Sequence, residues 1–94
     1  MVPNSPTPTI LLVDDELSSL KLLKRTLDNE SYRVLTAESA EKSLNILNGD
    51  SVDIIVSDDK MPEMSGTELL TKVKQDFPQT IRIMITGYAT LKSA

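Results

Sequence analysis

Apolar positions along this chain alternate between short unbroken runs and helical repeats. Ile10-Leu11-Leu12-Val13 is a continuous apolar run ended by Asp14-Asp15-Glu16, the pattern of a strand buried on both faces. Leu17, Leu20, Leu23 and Leu27 follow at helical spacing, with Lys21, Lys24 and Arg25 between them. That predicts an amphipathic helix over 16–29. Tyr32 to Thr36 reads as a second strand, and Ala40, Leu44 and Leu47 mark a second helix stopped by Gly49. Val52 to Ser57 reads as a third buried strand, followed by a loop that holds Pro62. Ser65-Gly66-Thr67-Glu68 has the form of a capping box. The helix it opens has Leu69, Leu70, Val73 and Phe77 on its inner face and is closed by Pro78. Ile81 to Ile85 predicts a fourth strand, and Gly87 to Ala94 the start of a fourth helix.

Strict alternation of strands and helices with short loops predicts an α/β domain, a parallel sheet covered by helices. Right-handed crossovers limit its winding. Residues 1–8 carry Pro3, Pro6 and Pro8 and no basic residue. They read as a disordered tail without the charged start and apolar centre of a secretory signal. Residues 9–94 read as one domain. No apolar run approaches the roughly 18 residues that a membrane span needs.

Composition narrows the chemistry. Ten Lys and Arg against fourteen Asp and Glu leave a net charge of −4, which argues against nucleic acid or an anionic membrane as the main partner. The chain has no cysteine, so it holds no disulfide, thiolate nucleophile or Cys-based zinc site; the same absence fits a reducing cytoplasm. It has no histidine, so it holds no Ser-His triad and no phosphohistidine of its own. Gly49, Gly66 and Gly87 are its only glycines and do not make a phosphate-cradling loop. Carboxylates, hydroxyls and lysines remain.

Acids stand where such a fold binds ligands, outside the carboxyl ends of the strands. Asp14 and Asp15 follow the first strand, Asp58 and Asp59 the third, and Thr86 ends the fourth. One acidic pair is an ordinary turn or helix cap. Two pairs at two strand ends are a candidate site if the first and third strands are neighbours. Clustered carboxylates repel one another, and a divalent cation relieves that repulsion. Hard oxygen donors with few protein ligands suit Mg²⁺. A free carboxylate beside a metal-bound phosphoryl group can attack phosphorus and form an acyl phosphate.

Three segments then carry a resemblance. They are Asp14-Asp15, the stretch from Asp58-Asp59-Lys60-Met61-Pro62 to Glu63-Met64-Ser65-Gly66, and Ile85-Thr86-Gly87-Tyr88-Ala89. Together they resemble the receiver (CheY-like) domain of two-component response regulators, nearly from Thr9 to the last residue. The resemblance implies a flavodoxin-like doubly wound parallel sheet in the order 2-1-3-4. It implies that Asp58 is the phosphoacceptor, standing three residues before Met61 and four before Pro62. It implies that Asp15 ligates Mg²⁺ directly and Asp14 largely through water, with Asp58 and the main-chain carbonyl of Lys60 completing the set. Thr86 would hydrogen-bond the phosphoryl group and shift on phosphorylation, and Gly87 would leave room for it. Lys60 and Tyr88 fall at positions that flank the phosphoryl group. Asp59 reads as an exposed loop acid, and Met61 and Met64 as loop packing. The donor would be a partner histidine kinase or phosphotransfer protein in a cytoplasmic phosphorelay, and the chain would modify itself rather than turn over a substrate.

The chain departs from that family in one respect. Its fifth strand, its fifth helix and the Lys after strand five have no counterpart here, so the sequence reads as a receiver cut short. Strand four would then be an open edge bearing Ile81, Ile83 and Ile85, and one sheet face would keep only the first helix. Self-association through that edge and face follows as an expectation. An alternative is a poorly switching receiver that serves as a self-association or protein-binding module. A metal-dependent phosphatase with an aspartyl nucleophile fits less well, because Lys60 stands where such enzymes carry a second Asp.

Overall fold

The apolar run that opens the sequence lies inside the sheet. In the computed structural model, which describes residues 7–28 and 31–85, it forms β1 (Thr9–Val13), all five residues of which are buried. The chain continues through α1 (Leu17–Asp28), β2 (Arg33–Ala37), α2 (Ala40–Gly49), β3 (Ile54–Asp58), α3 (Gly66–Asp76) and β4 (Ile81–Ile85). All pairings are parallel, in the order β2-β1-β3-β4. This is the flavodoxin-like α/β arrangement and strand order expected from the resemblance. The ladder reaches back past β1, because the Pro8 carbonyl accepts the Arg33 N–H at 2.9 Å. The tail expected over residues 1–8 and the helix expected over 87–94 otherwise fall outside the described residues, apart from Thr7 and Pro8.

Two layers of side chains cover the sheet. On one face Leu11, Val13 and Ile55 pack with Ala40 and Leu47 of α2 and Leu69 and Val73 of α3. On the other, Ile10 and Leu12 pack with Leu20 of α1, flanked by Leu23 and Leu27. The helical repeat read in α1 therefore points inward from Leu20 onward. Leu17 is the exception: it stands in the first turn and is 52% exposed. In α2, Ser43 is buried and returns its hydroxyl to the Ala40 carbonyl at 2.7 Å. No buried side-chain polar atom among the described residues lacks a partner, as a core of this size requires.

Burial falls away toward β4. β3 alternates buried and half-buried residues, and Ile81, Ile83 and Ile85 in β4 are 58%, 45% and 39% exposed. Among the described residues nothing pairs with the outer edge of β4, so the apolar edge expected from the sequence is present. One isoleucine is thus fully enclosed and another is not. Ile55→Ala should cost about 2–4 kcal/mol, through a cavity between two helices and the sheet. Ile83→Ala should cost less than about 1 kcal/mol. Urea unfolding of the two variants measures both, and equal losses would contradict this account of the core.

Candidate functional site

The β1–β3 ladder aligns the two acidic strand ends. Val13 pairs with Ser57, so Asp14 and Asp58, the next residues, emerge side by side. Asp14, Asp15 and Asp58 each bring a carboxylate oxygen within 4.8 Å of the others. Asp14 and Asp58 are half-buried, while Asp15 is exposed. Asp14 is fixed twice: its N–H donates to the Ala37 carbonyl at 3.2 Å, and its Oδ1 accepts the Glu16 N–H at 3.0 Å. Among the described residues the Asp58 carboxylate accepts no hydrogen bond, and the Ser57 hydroxyl donates to the Asp58 main-chain carbonyl at 2.9 Å.

Electrostatics at Asp14 run against ionisation. Burial pushes the Asp14 carboxyl above the ordinary carboxylate range; the negative charges of Asp58 and Asp15 push it further, and the Glu16 N–H offsets part of the rise. Such a group favours the folded state when protonated, so it penalises stability above its folded pKa, and the penalty fades as pH falls through that value. Three hard oxygen donors, close together and partly open to water, fit a small divalent cation that keeps some of its own waters.

Asp59 takes a different part from its neighbour. It is half-buried, not an exposed loop acid, and its carboxylate turns to the start of α3. Asp59 Oδ1 accepts the Thr67 N–H at 3.1 Å and the Thr67 hydroxyl at 2.9 Å. The Asp59 main-chain carbonyl accepts the Gly66 N–H at 2.8 Å. The capping box read from Ser65 and Glu68 is formed in both halves. The free N–H groups of the first turn of α3 are therefore shared between Asp59 and Ser65. Gly66 is required for this approach: a methyl group there would run into the Asp58 carbonyl oxygen and come within 2.8 Å of Asp59 Cα. Met61 and Met64 are half-buried and pack against the core, as expected. Between them, Glu63 has φ 72° and the Met64 N–H donates to the Pro62 carbonyl at 2.8 Å, a tight turn in the left-handed region.

A model of the response regulator receiver domain family matches residues 10–94. The chain belongs to that family. As a receiver domain it is 44% identical over 80 residues to the hydrogenase transcriptional regulatory protein HoxA of Cupriavidus necator, a match covering 85% of this chain and 16% of the relative. The chain thus spans about a sixth of that relative's length. Among solved structures, response regulator TrrA of Thermotoga maritima in complex with Mg²⁺ and beryllofluoride is 32% identical. It superposes with a TM-score of 0.84 over 93% of this chain and 76% of that one. TrrA in complex with histidine kinase ThkA is 33% identical, with a TM-score of 0.82 over 87% of this chain and 71% of that one.

Of the expected site residues in this receiver domain, the structure brings Asp14, Asp15 and Asp58 together, and it places Lys60, exposed between half-buried neighbours, two residues beyond Asp58. Thr86, Gly87 and Tyr88 lie outside the described residues. Sequence reasoning missed the Asp59–Thr67 link. Its partners are eight residues apart across an irregular loop, and no local pattern announces it. Asp14→Asn keeps the acceptor for Glu16 and removes the penalised charge. In chelator-containing buffer it should raise the melting temperature at neutral pH, with the gain fading as pH falls through the folded pKa of Asp14. An unchanged or lowered melting temperature at pH 7 would contradict the electrostatic account.

Proposed function

We propose that this receiver domain accepts a phosphoryl group on Asp58 from a partner histidine kinase, with Mg²⁺ held by Asp14, Asp15, Asp58 and the Lys60 main-chain carbonyl. The observation that carries the reading is the convergence of three carboxylates, Asp14, Asp15 and Asp58, at the carboxyl ends of β1 and β3. Asp14 is occupied by the Glu16 N–H, and Asp15 stands out in solvent. Asp59 is spoken for by Thr67. Asp58 is half-buried at the end of β3, and among the described residues its carboxylate is unengaged. The family identity and the complex of TrrA with a histidine kinase support the choice of donor. The TrrA complex with Mg²⁺ and beryllofluoride supports the choice of cation.

In the reaction an Asp58 oxygen forms a bond to phosphorus while the bond from phosphorus to the donor nitrogen breaks, leaving an acyl phosphate on the chain and a neutral imidazole on the donor. Mg²⁺, when bound, neutralises charge on the phosphoryl oxygens. None of these 94 residues is a histidine, so the phosphohistidine lies outside them. Thr86 would donate its hydroxyl to a phosphoryl oxygen. The protein modifies its own carboxylate and does not turn over a substrate. Incubation with acetyl phosphate and Mg²⁺ should add one phosphoryl group by intact mass. Asp58→Asn should abolish the addition, and Asp59→Asn should retain it. Persistence of the adduct in Asp58→Asn would overturn the assignment.

The exposed isoleucines of β4 favour a second reading beside the first, self-association through that strand. A two-fold antiparallel pairing centred on Ile83 sets Ile81 against Ile85 and Arg82 against Met84, so like charges do not meet. Light scattering should show a dimer at tens of micromolar that Ile83→Lys returns to monomer. A wild-type monomer at that concentration would sink it.

A further inference from the structure

Asp59 has a hydrogen-bond pattern that a solvated loop acid does not need. Its main-chain carbonyl and its side chain are gripped by consecutive residues, Gly66 and Thr67, of the same helical turn. A single bond from the Gly66 N–H would act as a pivot about which the Asp58–Lys60 main chain could rotate. Two further bonds to Oδ1, from the Thr67 N–H and hydroxyl, convert the pivot into a clamp. The carboxylate also sits at the positive end of α3, which favours its charge there. That placement draws the negative charge away from a cluster already strained by Asp14, Asp15 and Asp58. The Thr67 hydroxyl also lies 3.8 Å from the Met84 sulfur, so the clamp abuts β4.

We propose that Asp59 is a positioning residue for the phosphoacceptor: held by Thr67, its carboxylate fixes the main chain of Asp58 and Lys60 relative to Asp14 and Asp15. The inference rests on the reading of the site given under Proposed function, and it assigns Asp59 no contact with metal or phosphate. It differs from a stability role because the geometry held is that of the ligand-bearing main chain. Outer groups that hold ligands commonly govern metal affinity by about tenfold or more.

Isothermal titration of the folded protein with Mg²⁺ alone, well below the melting temperature, tests it with Asp59→Ala, Asp59→Asn and Thr67→Val. Both Asp59 variants lose the same charge, but only Asn keeps an oxygen that accepts from Thr67. Thr67→Val removes the hydroxyl without touching any charge. The expected result is Mg²⁺ binding about tenfold weaker in Asp59→Ala than in Asp59→Asn, with Thr67→Val weakened in the same direction. The double variant Asp59→Ala/Thr67→Val should be no worse than Asp59→Ala, because both remove one link. Equal affinities in Asp59→Ala and Asp59→Asn would overturn the proposal, whatever their melting temperatures. Backbone amide spectra of the metal-free proteins give an independent readout. The Asp58 and Lys60 amides should shift in Asp59→Ala and stay near their wild-type positions in Asp59→Asn. If the wild-type protein binds no Mg²⁺, the reading of the site fails, and these amides alone decide on the clamp: unshifted signals in Asp59→Ala overturn it.

Discussion

The parallel pairing of β1 with β3 is the constraint on which the site depends. β1 is buried along its whole length because it has a strand on each side and helices above and below. No other position in the four-stranded sheet accepts an unbroken apolar run so fully. Once β1 is central, its register with β3 sets the two acidic strand ends level, and the acids cannot avoid one another. Hydrophobic burial thus supplies the force that holds three like charges together. The cost appears as the raised pKa of Asp14, caused first by burial and then by its acidic neighbours. A cluster held this way is poised for a cation.

Much of this was legible in the sequence because the signals are local or periodic. Leu11 and Ile55 announce strands by their β-rich runs, and Leu69 and Val73 announce a helix by their spacing. The three-acid cluster was readable once strand order was known, since each acid directly follows an apolar run. Helix ends were readable to within a residue: Gly49, expected to stop α2, is its last residue, and Asp50 caps it. Leu17 fits the apolar repeat of α1 but is largely exposed, because the first turn projects past the edge of the core. The role of Asp59 was not legible. A carboxylate bonded to a residue eight positions on leaves no period or pairing rule in the sequence, and its position beside Asp58 invites the wrong grouping.

The loop from Asp58 to Gly66 has to satisfy two demands that pull in opposite directions. The main chain of Asp58 and Asp59 must lie close to α3, and Gly66 meets that demand by having no side chain where they pass. The intervening residues must turn back within a few positions and still bury Met61 and Met64 against the core. Pro62 and the left-handed Glu63 accomplish the turn, the latter at a conformation that costs a non-glycine residue about 1–3 kcal/mol. Such strain persists only when the ends of the loop are held firmly. Here the holding groups are the methionines on the core side and the Asp59 clamp with the Ser65–Glu68 box on the helix side. The strained turn and the clamp are therefore parts of one device. Loosening the clamp lets the turn relax, and the movement reaches Lys60 and Asp58 first, because they flank Asp59 on either side.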